Sequence, residues 1–237
     1  MQRLLPREES AEDRSRLPIW VGMTVWSNLP LLLVMDVALF VGAVPAVALF
    51  FGGGSLLAPL VGAITLGPLW AGVVAVADRM VRGEAVSLRI FAGNVRRHAR
   101  SGIAVSLVPA VVVTAILGTL AILDTRTEQL WLFVPLLVDG SVLILVLLAG
   151  LAVFSLGTTG GLRGWTLWRA SLETVVVSPM TMLGTVGFLV LLGFLVSWAP
   201  GFLPVLPAPF AVYLSASTWA TIWRWQERTE KNGGHEQ

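Results

Sequence analysis

Six long apolar stretches divide the 237-residue chain. A helix needs about 20 apolar residues to cross a hydrocarbon core, and irregular backbone is not stable against lipid, so the pattern predicts an all-α, polytopic membrane protein. A hydrophobic fraction of 56% beside 13% charged residues is typical of this class and excludes an ordinary soluble domain. The six predicted transmembrane helices are residues 29–51, 56–77, 103–123, 130–151, 180–198 and 204–223.

Positive charge alternates between the connections. Fifteen of the 16 Lys and Arg residues lie in the N-terminal segment, in residues 78–102, in residues 152–179 or in the C-terminal tail. Only Arg126 lies in one of the other three connections. Cytoplasmic segments are enriched in Lys and Arg, so both termini are predicted to be cytoplasmic, with the helices forming three outward hairpins.

This topology divides the chain into three parts. We predict a polar cytoplasmic segment over residues 1–18, a six-helix transmembrane domain over 19–225 and a polar cytoplasmic tail over 226–237. Residues 17–27 are apolar and extend the first helix or form a short interfacial helix, with Asn28 and Pro30 as a plausible break.

Each of the two long cytoplasmic linkers is predicted to contain an amphipathic helix. In the first, Leu88, Phe91 and Val95 repeat at helical spacing. In the second, Trp165, Trp168, Leu172 and Val176 form the apolar stripe. The basic residues that face away from these stripes are Arg89, Arg96, Arg97, Arg100, Arg163 and Arg169. They are expected either to bind anionic lipid headgroups or to form a docking face for a cytoplasmic partner.

Two carboxylates fall within predicted spans, Asp36 and Asp139. A charged side chain near the centre of a membrane helix costs about 2.5–3.5 kcal/mol on insertion-based scales, and no span contains a Lys or Arg to offset it. At about 1.5 Å per residue the two lie roughly 10 Å and 13 Å from opposite boundaries, which places them at neighbouring depths. Two roles are open. The carboxylates either couple to protons or cations, or they are buried polar groups that fix the packing between helices. Hydroxyls such as that of Ser141 are candidate hydrogen-bond partners.

Glycines recur in the second span at positions 62, 67 and 72, a pattern that favours close helix packing. No feature indicates an enzyme, a cofactor or a nucleic-acid partner. The chain has no cysteine, and neither His98 nor His235 has a partner at metal-ligand spacing. No nucleotide-binding loop or catalytic triad pattern is present, and the basic residues do not form the stripe that nucleic-acid binding needs.

Residues of the second span and the following linker resemble the YesL-like family of bacterial membrane proteins, a domain of unknown function. The matching residues are Thr65, Gly67 and Pro68, then Arg82-Gly83-Glu84, then Phe91, Asn94, Arg96 and Arg97. Leu66 replaces the family's isoleucine, and Gly62 stands where proline is expected. The resemblance implies a small integral protein associated with carbohydrate uptake and carries over no catalytic residues.

These observations predict a non-enzymatic accessory or assembly factor near a solute-uptake system such as an ABC-type sugar transporter. The first linker lacks the Glu-Ala-Ala loop with which sugar permeases dock their ATPase, so the chain is not expected to be the permease. The alternative is a small secondary transporter or channel in which Asp36 and Asp139 line a polar path. Either function is compatible with a homo-oligomer.

Overall fold

The structure, a computed structural model, describes residues 17–125, 133–160, 165–177, 179–199 and 205–219. These residues are almost entirely helical and contain no strand. The helices are α1 (Leu17–Ser27), α2 (Leu29–Phe51), α3 (Ala58–Val81), α4 (Leu88–Thr125), α5 (Phe133–Gly160), α6 (Trp165–Val177), α7 (Pro179–Trp198) and α8 (207–219).

Three of these helices are long and apolar enough to cross a membrane: α2, α3 and the segment Leu88–Ile122 of α4. They cover the first three predicted spans to within two residues. The fourth predicted span lies mostly within α5, which continues nine residues beyond the predicted end at residue 151. α7 coincides with the fifth span to within one residue, and α8 lies inside the sixth.

The helix boundaries follow local sequence signals. Pro30 and Pro59 stand in the first turns of α2 and α3, where a missing N–H costs nothing. Gly53 has φ of +88° in the turn between these helices, a conformation that favours glycine. The hydroxyl of Ser87 accepts a hydrogen bond from the backbone N–H of Ile90 at 3.4 Å and caps the start of α4.

The predicted break at Asn28 is confirmed, since α1 ends at Ser27 and α2 begins at Leu29. Val21 and Val25 of α1 pack against the core formed by the later helices. α1 is therefore a separate, packed helix. The polar segment before it, residues 1–16, lies outside the described residues, as does the tail from residue 220.

The first linker differs from its prediction. Its amphipathic segment is helical but forms one continuous 38-residue helix with the third span, rather than a separate helix on the leaflet. A Cβ added to Gly102 would lie 2.5 Å from the Gly67 carbonyl oxygen, and one added to Gly72 would lie 2.4 Å from Val95. The apolar face that packs on α3 thus runs unbroken through Gly102, and no turn residue interrupts it.

The second linker also contains the predicted helix, α6. Among the side chains that the structure describes, Leu167 and Ser171 are buried and Trp168 and Leu172 of the predicted stripe are half-buried, so the packed face extends from that stripe toward Leu167. Arg169 is exposed and pairs with Glu173 of the same helix at 2.9 Å. Arg163 lies outside the described residues.

The core is concentrated at the basic end of the bundle. Residues 71–78 of α3 are buried around the whole helix, enclosed by apolar side chains of α2, α4 and α8. Toward the other end α2 is open, and Val44, Val47 and Phe51 are exposed. α2 also exposes Val34 and Val37 nearer the packed end, so an apolar face that suits lipid contact runs along the helix.

Candidate functional site

Asp36 is the carboxylate of the first predicted span. Its side chain is 1% exposed. Its Oδ1 accepts a hydrogen bond from the backbone N–H of Ala208 at 2.7 Å, across 172 residues of sequence. The carboxylate is therefore bound to the first turn of α8.

The start of α8 explains why a carboxylate is stable there. A helix N-terminus leaves backbone N–H groups without partners and carries partial positive charge. In α8, Pro207 and Pro209 have no N–H, and the N–H of Phe210 donates to the Leu206 carbonyl at 3.0 Å. Asp36 accepts from Ala208, the remaining donor of this first turn, so the helix N-terminus offsets the charge that no Lys or Arg balances.

The second oxygen of Asp36, Oδ2, is buried and has no hydrogen-bond partner among the described residues. Asp36 also lines a groove of about 820 Å³ between α2, α3 and α4. It is the first residue of α2 to line this groove, Trp70 is the last of α3 and Ser106 the first of α4. Since α3 runs antiparallel to the other two helices, these residues mark one end of the groove. The other lining residues are almost all apolar, so the groove is a hydrocarbon-like cleft with the buried Asp36 at one end.

Asp139 has a different environment. It is half-buried on α5, and its Oδ2 accepts a hydrogen bond from the Thr119 hydroxyl of α4 at 3.4 Å. Ser141 donates instead to the Leu137 carbonyl of its own helix. Asp36 and Asp139 thus have separate partners, on α8 and α4, and no hydrogen bond among the described residues joins them. Their neighbouring depth stays a prediction.

A third carboxylate, Asp78, was predicted to lie in the first linker but is 1% exposed at the end of α3. Its Oδ1 accepts a hydrogen bond from Trp219 Nε1 at 2.7 Å, and its Oδ2 pairs with Arg82 Nη2 at 2.8 Å. The i, i+4 spacing of Asp78 and Arg82 was readable from the sequence. The contact with Trp219, 141 residues away, was not.

The Arg82-Gly83-Glu84 segment ends α3 with a Schellman motif. The N–H of Gly83 donates to the Met80 carbonyl and that of Glu84 to the Arg79 carbonyl, both at 3.0 Å. Gly83 has φ of +69°, as the motif requires. The Glu84 carboxylate then pairs with Arg82 at 3.0 Å and Arg79 at 3.8 Å. These residues, together with Asp78 and Trp219, form a polar cluster that closes the basic end of the bundle.

The other family-like residues build the crossing of α3 and α4. A Cβ on Gly67 would lie 2.8 Å from both the Gly102 carbonyl oxygen and the Ser106 hydroxyl, which confirms the predicted close approach. Thr65 donates to the Val61 carbonyl at 3.1 Å, and Pro68 lies within α3. Phe91 and Asn94 are buried, and the Asn94 Nδ2 has no partner in the described part of the chain.

Four arginines form an exposed face on α4: Arg89, Arg96, Arg97 and Arg100. At about 100° per residue, Arg89, Arg96 and Arg100 project within about 40° of one another, nearly opposite Phe91. None of the four has an ion-pair partner within the described segments, whereas Arg79, Arg82 and Arg169 are all paired. We call these four residues the arginine face.

The described residues hold no group of His, Cys, Asp or Glu side chains that could bind a metal ion. Comparisons of the chain with protein families, curated proteins and solved structures find no match. The resemblance to the YesL-like family therefore remains a prediction from the motif residues. The site must be interpreted from its own geometry.

Proposed function

We propose that the chain is a six-span integral protein of the bacterial cytoplasmic membrane with both termini in the cytoplasm. Three helices of sufficient length and hydropathy support membrane insertion. The alternation of positive charge in the sequence supports the six-span topology and the orientation. In this orientation the arginine face and the polar cluster of Asp78 lie toward the cytoplasm.

Its function, in this proposal, is that of a non-enzymatic accessory or assembly factor that docks a partner through the arginine face. The observation that carries this is four exposed arginines, without ion pairs among the described residues, on a helix that packs closely against α3. Guanidinium groups on a rigid helix fit carboxylates bidentately, which favours an acidic protein surface as the partner. The resemblance to the YesL-like family suggests that the partner belongs to a carbohydrate-uptake system.

The alternative, a transporter that uses Asp36 and Asp139 along one polar path, fits the geometry less well. The two carboxylates have separate partners, the Ala208 N–H of α8 for Asp36 and the Thr119 hydroxyl of α4 for Asp139. Between them the groove is apolar. Substrate-dependent flux in proteoliposomes that contain this protein alone would support the alternative.

The test is purification of the tagged protein from its native membrane in mild detergent, followed by mass spectrometry of proteins recovered in near-stoichiometric amounts. Replacing all four residues of the arginine face by Gln should reduce recovery of the partner at least tenfold at equal yield of the bait. The control is Arg169→Gln, because Arg169 is already paired with Glu173 on its own helix.

Full retention of the partner by the quadruple variant would refute docking through this face. Recovery of the wild type alone, together with loss of binding to anionic vesicles in the quadruple variant, would assign the arginines to lipid headgroups instead.

A further inference from the structure

The four residues of the arginine face carry positive charge that nothing among the described residues balances. All four are exposed, and the described carboxylates at this end of the bundle are paired with other arginines. Asp78 and Glu84 pair with Arg82, and Glu173 pairs with Arg169. A compensating negative charge must therefore come from outside the described residues.

The chain itself contains one dense acidic segment, residues 8–13. Its six residues include four carboxylates and no basic side chain: Glu8, Glu9, Glu12 and Asp13. Arg7 and Arg14 flank this run but do not interrupt it. The C-terminal tail carries three glutamates spread over residues 227–236 and interspersed with basic residues. Residues 8–13, which we call the acidic segment, thus match the arginine face with four charges against four.

The acidic segment is attached close enough to reach the arginine face. It ends four residues before Leu17, where α1 begins. A chain spans at most about 3.6 Å per residue, so Asp13 is at most about 14 Å from Leu17 and Glu8 at most about 32 Å. Val21 of α1 packs against the buried cluster that also contains Phe91 of α4. With side chains a helix is about 10–12 Å in diameter, so a path from this core around α4 is within reach of the segment.

The lengths of the two charged surfaces also agree. Arg89 and Arg100 are 11 residues apart, which is about 16.5 Å of helix. The six residues of the acidic segment span at most about 18 Å when extended. Between the arginines, Gly93 is exposed and a Cβ on it would meet nothing within 4 Å, so a chain can approach α4 closely there.

We propose that the acidic segment occupies the arginine face when no partner is bound, with its carboxylates paired to the guanidinium groups, and that a partner must displace it to dock. The displacement rests on the docking function proposed above; the contact itself requires only that both surfaces are cytoplasmic. A segment tethered over a few residues has an effective concentration on the order of millimolar, so weak exposed ion pairs suffice to populate the contact. Only a partner with several carboxylates then competes with the segment.

The experiment measures the contact by disulfide formation in the full chain, in neutral-lipid nanodiscs that each hold one copy. The chain has no cysteine, so Ser10→Cys in the acidic segment and Gly93→Cys between the arginines provide the only thiols. Trypsin releases them in residues 8–14 and 90–96, and mass spectrometry quantifies the linked peptides. The disulfide should form readily at low salt and more slowly in about 1 M salt, where the screening length is only about 3 Å.

A neutral variant of the acidic segment tests whether its charge drives the contact. It combines Glu8→Gln, Glu9→Gln, Glu12→Gln and Asp13→Asn, which keep the length of the segment and leave every Lys and Arg in place, so the topology signal is unchanged. Disulfide formation should slow at least about fourfold, the ratio for four exposed ion pairs at the weak end of their usual range.

The matched control moves the second thiol off the arginine face. Ala85 is exposed in the connection between α3 and α4, beside the acidic Glu84. Ser10→Cys with Ala85→Cys should form less disulfide than the pair with Gly93→Cys, and the neutral variant should not lower it. Equal formation at Ala85 and Gly93, or formation at Gly93 that the neutral variant leaves unchanged, would mean random collisions of the segment and would overturn the proposal.

Recovery of the partner separates this proposal from the docking function. Loss of the partner in the quadruple arginine variant, together with disulfide formation that ignores the carboxylates, would refute the contact and leave docking intact. Retention of the partner in that variant, together with carboxylate-dependent disulfide formation, would refute docking and leave the contact. If both hold, the neutral variant should recover more partner than the wild type, and equal recovery would overturn the displacement.

Discussion

The contact between Asp78 and Trp219 offers the sharpest test of how the last helix is held. Asp78→Ala removes a carboxylate that is 1% exposed and leaves the Trp219 N–H without its acceptor. A buried hydrogen bond to a charged group contributes about 1.5–3 kcal/mol. The Arg82 side chain is 41% exposed, so its pairing with Asp78 adds at most about 1 kcal/mol after solvent screening. The expected loss in the free energy of unfolding is therefore about 2–4 kcal/mol.

The assay is unfolding by SDS titration from mixed micelles, followed by far-UV circular dichroism so that the loss of a tryptophan does not alter the signal. Asp139→Ala is the control, because Asp139 is half-buried and accepts one long hydrogen bond of 3.4 Å. The free energy of unfolding of the Asp139→Ala variant should fall by less than about 1 kcal/mol.

Trp219→Phe completes a double-mutant cycle. The coupling free energy between Asp78→Ala and Trp219→Phe should be about 1.5–3 kcal/mol if the 2.7 Å hydrogen bond is the main interaction. A coupling free energy near zero would refute the assignment of α8 to the cytoplasmic core. So would a loss of unfolding free energy for Asp78→Ala that is no larger than that for Asp139→Ala.

Further substitutions test the packing and the turns, each measured by the same titration. Gly67→Ala should destabilise the protein by about 1–3 kcal/mol because its Cβ would meet the Gly102 backbone at 2.8 Å. The control is Gly93→Ala, because a Cβ on Gly93 would have open space. An effect of Gly67→Ala as small as that of the control would contradict the close crossing of α3 and α4. Gly42→Ala should cost less than Gly67→Ala, since the one overly close atom that its Cβ would meet is the flexible end of the Leu69 side chain. Gly83→Ala should cost about 1–2 kcal/mol because φ is +69°, and a neutral result would argue against the left-handed turn.

The sequence predicted the features that depend on local pattern. Apolar length marked α2 and α3, and glycine spacing marked the close approach at Gly67 and Gly72. Asn28 was recognised as a break between helices. These features follow from residues that are near one another in the chain or repeat at helical spacing.

The sequence did not predict features that depend on long-range contacts. α4 continues through Gly102, which lies against Gly67 of another helix, and the ends of an apolar run do not reveal such a contact. The partner of Asp36 is a backbone N–H in α8, so a search for a complementary side chain could not find it. Asp78 was assigned to a linker because hydropathy declines there, although α2, α4 and α8 enclose it.

The most direct test of the account is the membrane orientation of the arginine face, because the docking proposal requires it to be cytoplasmic. The chain has no cysteine, so single Ser→Cys substitutions can be labelled without background. Ser101, beside Arg100, and Ser197, near the end of α7, are both exposed. A membrane-impermeant maleimide should label Ser101→Cys only in inverted vesicles and Ser197→Cys only in spheroplasts. Labelling of Ser101→Cys from outside, or of both positions from the same side, would contradict the orientation and the docking proposal that rests on it.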